Sequence, residues 1–368
     1  MTTEMAASPP MDDVALAVAR RFLATDATLS VRPLGKGLIN ETFRVDAPAG
    51  TFVLQCINTH VFPDPSGIMA NLGRLEALQG MALELGLRLP RLITADDGSM
   101  LLRDGRGKQW RLMEYIANSR ALTRIDNPTQ AREIGRVLGA FHRLTAALDP
   151  DEVAVTLAGF HDTPTYLDQL YDALRTASND DPAVAAALDF IEARRRKISV
   201  LAEAHRHGLL PLRVTHGDPK IDNLLFAADT DQALCLIDLD TVQPGLVHHD
   251  IGDCLRSCCK RHADGDPGSA SFDLAICREI LSGYAAASRG LLDAAEVALL
   301  YPAIHLLPLE LAIRFLTDHL QGDVWFRIRE PGQNLAKARV QLSLVADIEA
   351  KETALRRIIS DCFRGTEQ

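Results

Sequence analysis

A carboxylate, an ammonium and a carboxamide crowd one short stretch of the chain, His216-Gly217-Asp218-Pro219-Lys220-Ile221-Asp222-Asn223. A second acidic stretch, Ile237-Asp238-Leu239-Asp240, follows at the end of an apolar run that includes Leu234 and Leu236. These side chains suit phosphoryl transfer from a nucleotide. Asp218 can accept the proton of an attacking hydroxyl, and Lys220 can offset charge on the phosphoryl group in flight. Asn223 and Asp238 can hold a divalent metal on the phosphates. Magnesium takes few protein oxygens and keeps water and phosphate oxygens, so two side chains suffice. Asp240 lies two residues past Asp238, on the same face if the segment is a strand. It is either a further metal ligand or a partner that supports the first. A loop of Asp and Asn bonded to its own backbone would use the same residue types. It would not require two blocks in this order, each closing a strand-like run.

The first block has the H-x-D-x-K-x-x-N spacing of a kinase catalytic loop, with Gly217 where protein kinases have Arg. A glycine-containing loop lies far upstream, Gly35-Lys36-Gly37-Leu38-Ile39-Asn40. Glycines let backbone N–H groups approach anionic oxygens without a Cβ in the way, so Gly35, Gly37 and Asn40 are candidates to lie over the phosphates of ATP. Asn40 stands where a G-x-G-x-x-G loop has its third glycine, and an ordinary hairpin turn would look the same. Phe52-Val53-Leu54-Gln55 places a neutral amide where a Val-Ala-Ile-Lys strand carries the lysine for the α- and β-phosphates. Gln55 can still hydrogen-bond a nucleotide but brings no charge. The usual lysine–glutamate pair, with Glu76 as its acid, is therefore in doubt. Met113-Glu114-Tyr115-Ile116 falls where two lobes would join, and the backbone of Glu114 and Ile116 is expected to meet the adenine edge.

The elements that must position these groups divide the chain in two. Residues 12–24 have helical periodicity. Residues 29–34, 42–46 and 51–56 read as strands, the last two joined at Ala47-Pro48-Ala49-Gly50. A helix is expected over 67–85, then short strands at 91–94, 100–103 and 109–116. From Asn127, an N-cap followed by Pro128, the pattern turns helical. Helical stretches recur near 165–177, 182–206, 250–260, 272–289, 293–319 and 334–362. The expected fold is α+β: a small sheet-rich lobe over 1–115 that binds nucleotide, a linker over 116–126, and a large helical lobe over 116–368 that holds catalysis and acceptor. That is a bilobal protein-kinase-like layout.

Length and composition agree. A chain of 368 residues, 47% hydrophobic and 24% charged, suits two globular lobes. A net charge of −10 offers no basic stripe for nucleic acid and no attraction to an anionic membrane. No run is expected to approach the ~18 apolar residues of a membrane span. Met1 to Pro10 lacks the apolar core of a signal peptide. Seven irregularly spaced cysteines without a C-x-x-C pair fit a reduced, cytoplasmic protein. Cys254, Cys258 and Cys259, with His248, His249 and His262, have no closed zinc spacing and read as small core residues and their neighbours. A monomer or weak oligomer is expected.

These residues resemble a known family, the phosphotransferases related to aminoglycoside and choline kinases, and among them the N-acetylhexosamine 1-kinases most. The resemblance covers most of the chain. It is carried by Leu54-Gln55-Cys56-Ile57-Asn58 with His60-Val61-Phe62, by Gly159-Phe160-His161-Asp162-Thr163-Pro164, and by the two acidic blocks. Pro244-Gly245, Asp250-Ile251-Gly252-Asp253 with Arg256, and Arg314 through Asp323 complete it. It implies ATP, magnesium and a small hydroxylated acceptor. For the subgroup it implies transfer to the anomeric hydroxyl of N-acetylglucosamine or N-acetylgalactosamine, with a glutamine at the Gln55 position. It also implies that Asp250 or Asp253 braces the catalytic loop, where helix-start carboxylates would alternatively favour the positive helix end. Arg314 and Asp318, four apart on one helical face, would be a sugar-binding pair or a surface ion pair. An aminoglycoside, choline, homoserine or another sugar is the alternative acceptor. A non-catalytic nucleotide-binding pseudokinase draws support from Gln55 alone.

Overall fold

The computed structural model describes residues 11–35, 39–177, 181–263 and 266–364. Gly37, with Lys36 and Leu38, lies outside them. The N-terminal helix Met11–Leu23 buries Ala15, Val18, Ala19 and Phe22, the i, i+3, i+4, i+7 stripe of an amphipathic helix. That stripe packs on one face of a six-stranded sheet, against Phe43, Val45, Leu54, Trp110 and Leu112. The sheet runs Ser30–Pro33, Glu41–Ala47, Gly50–Cys56, Gln109–Glu114 and Leu92–Ile93, with Leu102–Arg103 also pairing on Gln109–Glu114. All its pairings are antiparallel. Ala47 faces Gly50 across the two-residue turn Pro48-Ala49. The register also sets Gln55 opposite Arg111.

The helix expected over 67–85 is two helices, Pro65–Ala77 and Gln79–Glu84. Asp64 caps the first, its side chain accepting from Ser66 N. The Leu78 N–H turns back to Leu75 O, which tightens the last turn and breaks the run. The expected linker contains a strand, Ser119–Ala121, which pairs with Leu224–Ala227, itself paired with Ala233–Leu236.

Beyond it the protein is largely helical. Asn127 caps Pro128–Thr145 as expected, its Oδ1 accepting from Gln130 N at 2.9 Å. This helix lies against Leu274–Ala287 at backbone contact. A Cβ on Gly135 would sit 1.8 Å from Ile280 O, so only glycine allows the approach. Three expected helices are interrupted. Residues 182–206 form Pro182–Glu192, Arg195–Ile198 and Val200–Arg206, with Arg194 at the break pinned by two nitrogens to Glu349. Residues 293–319 form Ala294–Ala298, opened by an Asp293/Glu296 capping box, and Leu300–Leu320. The third divides into Gln333–Ala350 and Glu352–Phe363. A hairpin, Lys260–Ala263 with Asp266–Phe272, was not expected. It is held by Ser343 on Ala270 N and Asp347 on Phe272 N, partners more than 70 residues away.

Leu300–Leu320 also departs from the expectation that no run approaches the length of a membrane span. It is 21 residues long and apolar enough on average to cross a bilayer. Glu310 and Arg314 interrupt its apolar run, which hides the pattern. Most of the helix is buried inside the protein, where it packs on Gln333–Ala350, Val247–Cys258 and Thr163–Thr176. Cys254, Cys258 and Cys259 are buried core residues.

Candidate active site

The catalytic loop leaves the strand Arg213–Thr215 and passes through Gly217 at φ 86°. A Cβ there would meet Thr241 O at 2.8 Å and Phe160 Cε1 at 3.3 Å. Handedness and space both require glycine, which accounts for its place beside Asp218. Asp250 grips the loop. Its Oδ2 accepts from His216 N at 2.7 Å and its Oδ1 from Gly217 N at 2.8 Å. His142 Nε2 lies 2.9 Å from the same Oδ2, and Tyr284 Oη meets the other side of that ring. Burial pushes the Asp250 carboxyl upward, yet these donors hold it below the usual range. Asp253 instead pairs with Arg256 at 2.7 Å.

His216 ties the two acidic blocks together. Its Nδ1 accepts from Asp218 N at 3.2 Å, so the proton sits on Nε2, which donates to Ile237 O at 3.1 Å. Burial lowers its pKa and keeps the ring neutral. Thr241 adds a hydroxyl bond to His216 O at 2.7 Å.

Four expected residues converge here. Lys220 forms an ion pair with Asp218 Oδ2. Burial lowers the Lys220 pKa, but Asp218 more than offsets this and the net shift is upward. Asn223 donates to Asp218 O at 2.8 Å and to its Oδ2 at 3.2 Å. Ile237 N donates to Asn223 O at 2.9 Å, which sets Asp238 beside Asn223. Asp238 has left-handed backbone, φ 65°, unusual for a residue with a Cβ. Its carboxylate is open to solvent yet closely surrounded by protein. That crowding, and then Asp240, raise its pKa above the ordinary range. A carboxylate short of positive charge, beside a carboxamide, fits a divalent cation, so Asp238 and Asn223 suit magnesium.

Asp240 is fully buried and committed elsewhere. Its Oδ1 pairs with Arg111 Nη1 at 2.5 Å and its Oδ2 accepts from Asn40 Nδ2 at 2.7 Å. Asn40 Oδ1 in turn accepts from Asn58 N at 3.0 Å. Gln55 lies under the same guanidinium, its Oε1 accepting from Arg111 Nη2 at 2.6 Å. Glu76 is 3.9 Å from Arg91, so its ion pair is with that arginine. Gly35 has φ 73°, in the left-handed region that favours glycine. At the end of the sheet strand Gln109–Glu114, Glu114 N donates to Arg91 O and its side chain is exposed. Ile116 is buried, with its carbonyl accepting from Ser119 Oγ at 2.6 Å.

A second charged network borders the loop from the helix Leu300–Leu320. His161, at φ 61°, has Nε2 2.9 Å from Gly217 O and Nδ1 2.9 Å from Glu310 Oε1. Burial opposes its charge, but Glu310 prevails and raises the ring to about 9. Glu310, also buried, is held down at about 2 by His161 and then Arg314, and accepts from Thr163 Oγ1. Next to it, burial and His161 drive His249 down to about 3. Arg314 is 3.8 Å from Glu310 and sits among Phe160, Tyr166 and Phe326, with ring centroids at 5.4, 4.9 and 5.7 Å. The structure does not bring Asp318 to Arg314. Asp318 is buried and accepts from Trp325 N, Phe326 N and Asn334 Nδ2, each at 2.8 Å. It holds the loop that supplies Phe326.

Sequence reasoning did not single out Arg111 or Glu310. Each is a lone charge inside an apolar run, Trp110-Arg111-Leu112-Met113 and Leu309-Glu310-Leu311-Ala312. That interruption was the available signal.

A small sheet lobe followed by a large helical lobe, with the candidate catalytic loop directly after the strand Arg213–Thr215, is a kinase-like arrangement. Residues 30–289 match the phosphotransferase enzyme family, and the chain belongs to that family. Among solved structures it is similar to a microcompartment-associated aminopropanol kinase, at 19% identity over 93% of this chain and 98% of the other, TM-score 0.63. It is similar to an aminoglycoside phosphotransferase from Alicyclobacillus acidocaldarius subsp. acidocaldarius DSM 446, at 14% identity over 98% and 99%, TM-score 0.64. A third is the amicoumacin kinase hAmiN in complex with AMP-PNP, Ca2+ and Ami, at 15% identity over 96% and 94%, TM-score 0.55.

Proposed function

We propose that this phosphotransferase uses ATP and magnesium to phosphorylate the anomeric hydroxyl of an N-acetylhexosamine, N-acetylglucosamine or N-acetylgalactosamine, giving the sugar 1-phosphate. The nucleotide is held between the sheet lobe and the catalytic loop, and the acceptor by the helical lobe. Asp218 takes the proton of the acceptor hydroxyl as its oxygen bonds to the γ-phosphorus. The bond from that phosphorus to the β–γ bridging oxygen breaks, and ADP leaves. Lys220 balances charge across the transfer. Asn223 and Asp238 would hold Mg2+, which supplies positive charge to the β- and γ-phosphates.

The observation that carries the choice of acceptor is the position of Arg314. Aromatic cages suit ammonium groups. Here three rings, of which Phe160 also lies against Gly217, surround the chain's own guanidinium. With protonated His161 against Glu310, the local balance is one positive charge. That favours a neutral, polar acceptor over the amines for which two of the similar kinases are named. The acetamido sugar itself comes from the family resemblance of the Gly159-to-Pro164 and Arg314-to-Asp323 blocks.

The test is an ATP-consumption screen over free sugars, aminoglycosides, choline and homoserine, with phosphorus NMR of any product. A 1-phosphate, and kcat/KM higher for the acetamido sugars than for glucose or galactose, is expected. A site built around an acetamido group leaves polar atoms unpaired when that group is missing. A 6-phosphate product, or preference for an amine, would leave only the broader kinase. No ATP consumption with any acceptor would favour a nucleotide-binding protein without catalysis.

A further inference from the structure

We infer that Arg111 is a positioning residue for the metal site: it reaches from the sheet lobe to withhold Asp240 from the cation and so presents Asp238 to it. This rests on the reading of Asp238 as a metal ligand.

The geometry begins in the sheet. Gln55 occupies the place of a strand lysine but is neutral, and the register puts Arg111 directly across from it. Arg111 Nε and Nη2 both donate to Gln55 Oε1, at 3.0 and 2.6 Å, while Gln55 Nε2 donates to Thr42 Oγ1 at 3.1 Å. The amide thus serves as a rest for the guanidinium. The remaining branch, Nη1, crosses to Asp240 Oδ1. An ammonium lacks the planar fork needed for both contacts. Asn40 takes the other oxygen of Asp240. Two parts of the sheet lobe therefore converge directly on one carboxylate of the helical lobe, and Gln55 supports one of them.

Stability alone is a poor reason for this arrangement. A fully buried ion pair can often be replaced by apolar residues at no loss. An apolar pair could not fix the turn. Asp240 lies in the short 3-10 turn Leu239–Thr241, which begins immediately after Asp238. Thr241 in that turn bonds the catalytic loop at His216. Moving Asp240 therefore moves Asp238 and a brace of Asp218 together.

The experiment titrates Mg2+ against turnover at fixed, saturating ATP and acceptor. Arg111→Lys keeps the charge and loses the fork. The Mg2+ needed for half-maximal rate should rise ~10- to 100-fold, the usual cost of removing a partner behind a metal ligand. KM for the acceptor should stay within about twofold, because Arg111 touches the metal side only. Arg111→Met alone leaves Asp240 unpaired and is expected to unfold readily. Arg111→Met with Asp240→Leu removes both charges. Its thermal midpoint should recover while its Mg2+ requirement stays high. Wild-type Mg2+ dependence and kcat in Arg111→Lys, or in the folded double variant, overturns the inference; if the double variant does not fold, Arg111→Lys decides. Asp238→Ala separates the two readings. An unchanged Mg2+ requirement there removes the metal assignment, whereas a raised one beside normal Arg111 variants removes only the role of Arg111.

Discussion

Asp250 and Glu310 are both fully buried carboxylates that approach the catalytic loop, and they hold it by different means. Asp250 bonds the backbone N–H groups of His216 and Gly217. Glu310 acts through a side chain, His161, which reaches the Gly217 carbonyl. A brace on backbone fixes the position of Asp218 whatever acceptor is used. A brace through side chains can be retuned by single substitutions. On the proposed reading, chemistry belongs to the first side and acceptor choice to the second.

The largest break is at the chemistry. Asp218→Asn keeps size and most hydrogen bonding but cannot accept the proton. Turnover should fall ~10²- to 10⁴-fold with the fold intact. Circular dichroism and single-turnover assays check this, and near-normal turnover in the folded variant would unseat Asp218.

Removing the backbone brace comes next. Asp250→Ala strands two buried N–H groups and the His142 ring, and should cost roughly 3–5 kcal/mol of stability. Denaturant unfolding measures it. A loss under about 1 kcal/mol would mean the loop holds itself and the comparison is empty.

The sequence made one of these sides far more legible than the other. Asp218, Lys220, Asn223 and Asp238 lie within 21 residues, and one loop and one short hairpin bring them together. The strands behind them, and the cap at Asn127, follow from local pattern as well. Glu310 meets His161 across 149 residues, and no local period records that meeting. The same holds for Arg111 and Asp240, whose pairing depends on how two lobes dock. Asp318 shows the opposite error. Its helical spacing from Arg314 is real, but backbone donors from the following loop reach it first. The breaks at Leu78 and Arg194 were likewise set by turn and tertiary bonds, against a continuous apolar period.

The side-chain brace carries its own pH signature. His161 is raised to about 9 in the folded protein, against about 6.5 unfolded. Its protonated form therefore stabilises the fold in full below pH ~6.5, and that contribution is lost as pH rises through about 9. Glu310, held at about 2, stabilises above its unfolded value of about 4.3 and loses this as pH falls through about 2. The fold should weaken by roughly 3 kcal/mol between pH 6 and 10 from His161 alone. Glu310→Gln should flatten that slope, because burial then opposes the charge on the ring without Glu310 to offset it. Urea unfolding across this pH range tests both statements. An equal slope in the variant would detach His161 from Glu310.

The smallest effect, and the sharpest for the acceptor, comes from Arg314→Ala. The guanidinium is partly exposed and balanced by Glu310, so its loss should cost only about 1 kcal/mol of stability. If the acceptor is the proposed sugar, losing Arg314 should raise its KM about tenfold. KM for ATP should stay within about twofold, since no sheet-lobe residue touches Arg314 among the described contacts. The variant also vacates the space between Phe160, Tyr166 and Phe326 while Glu310 remains. That leaves an aromatic cage with an acid at its base, a setting that attracts ammonium by ~0.5–2 kcal/mol. Tetramethylammonium should therefore inhibit Arg314→Ala competitively against the acceptor and have no such effect on the wild type. Equal inhibition of both proteins would mean that Arg314 does not fill the acceptor cage, and the case for a neutral acceptor would lose its structural support.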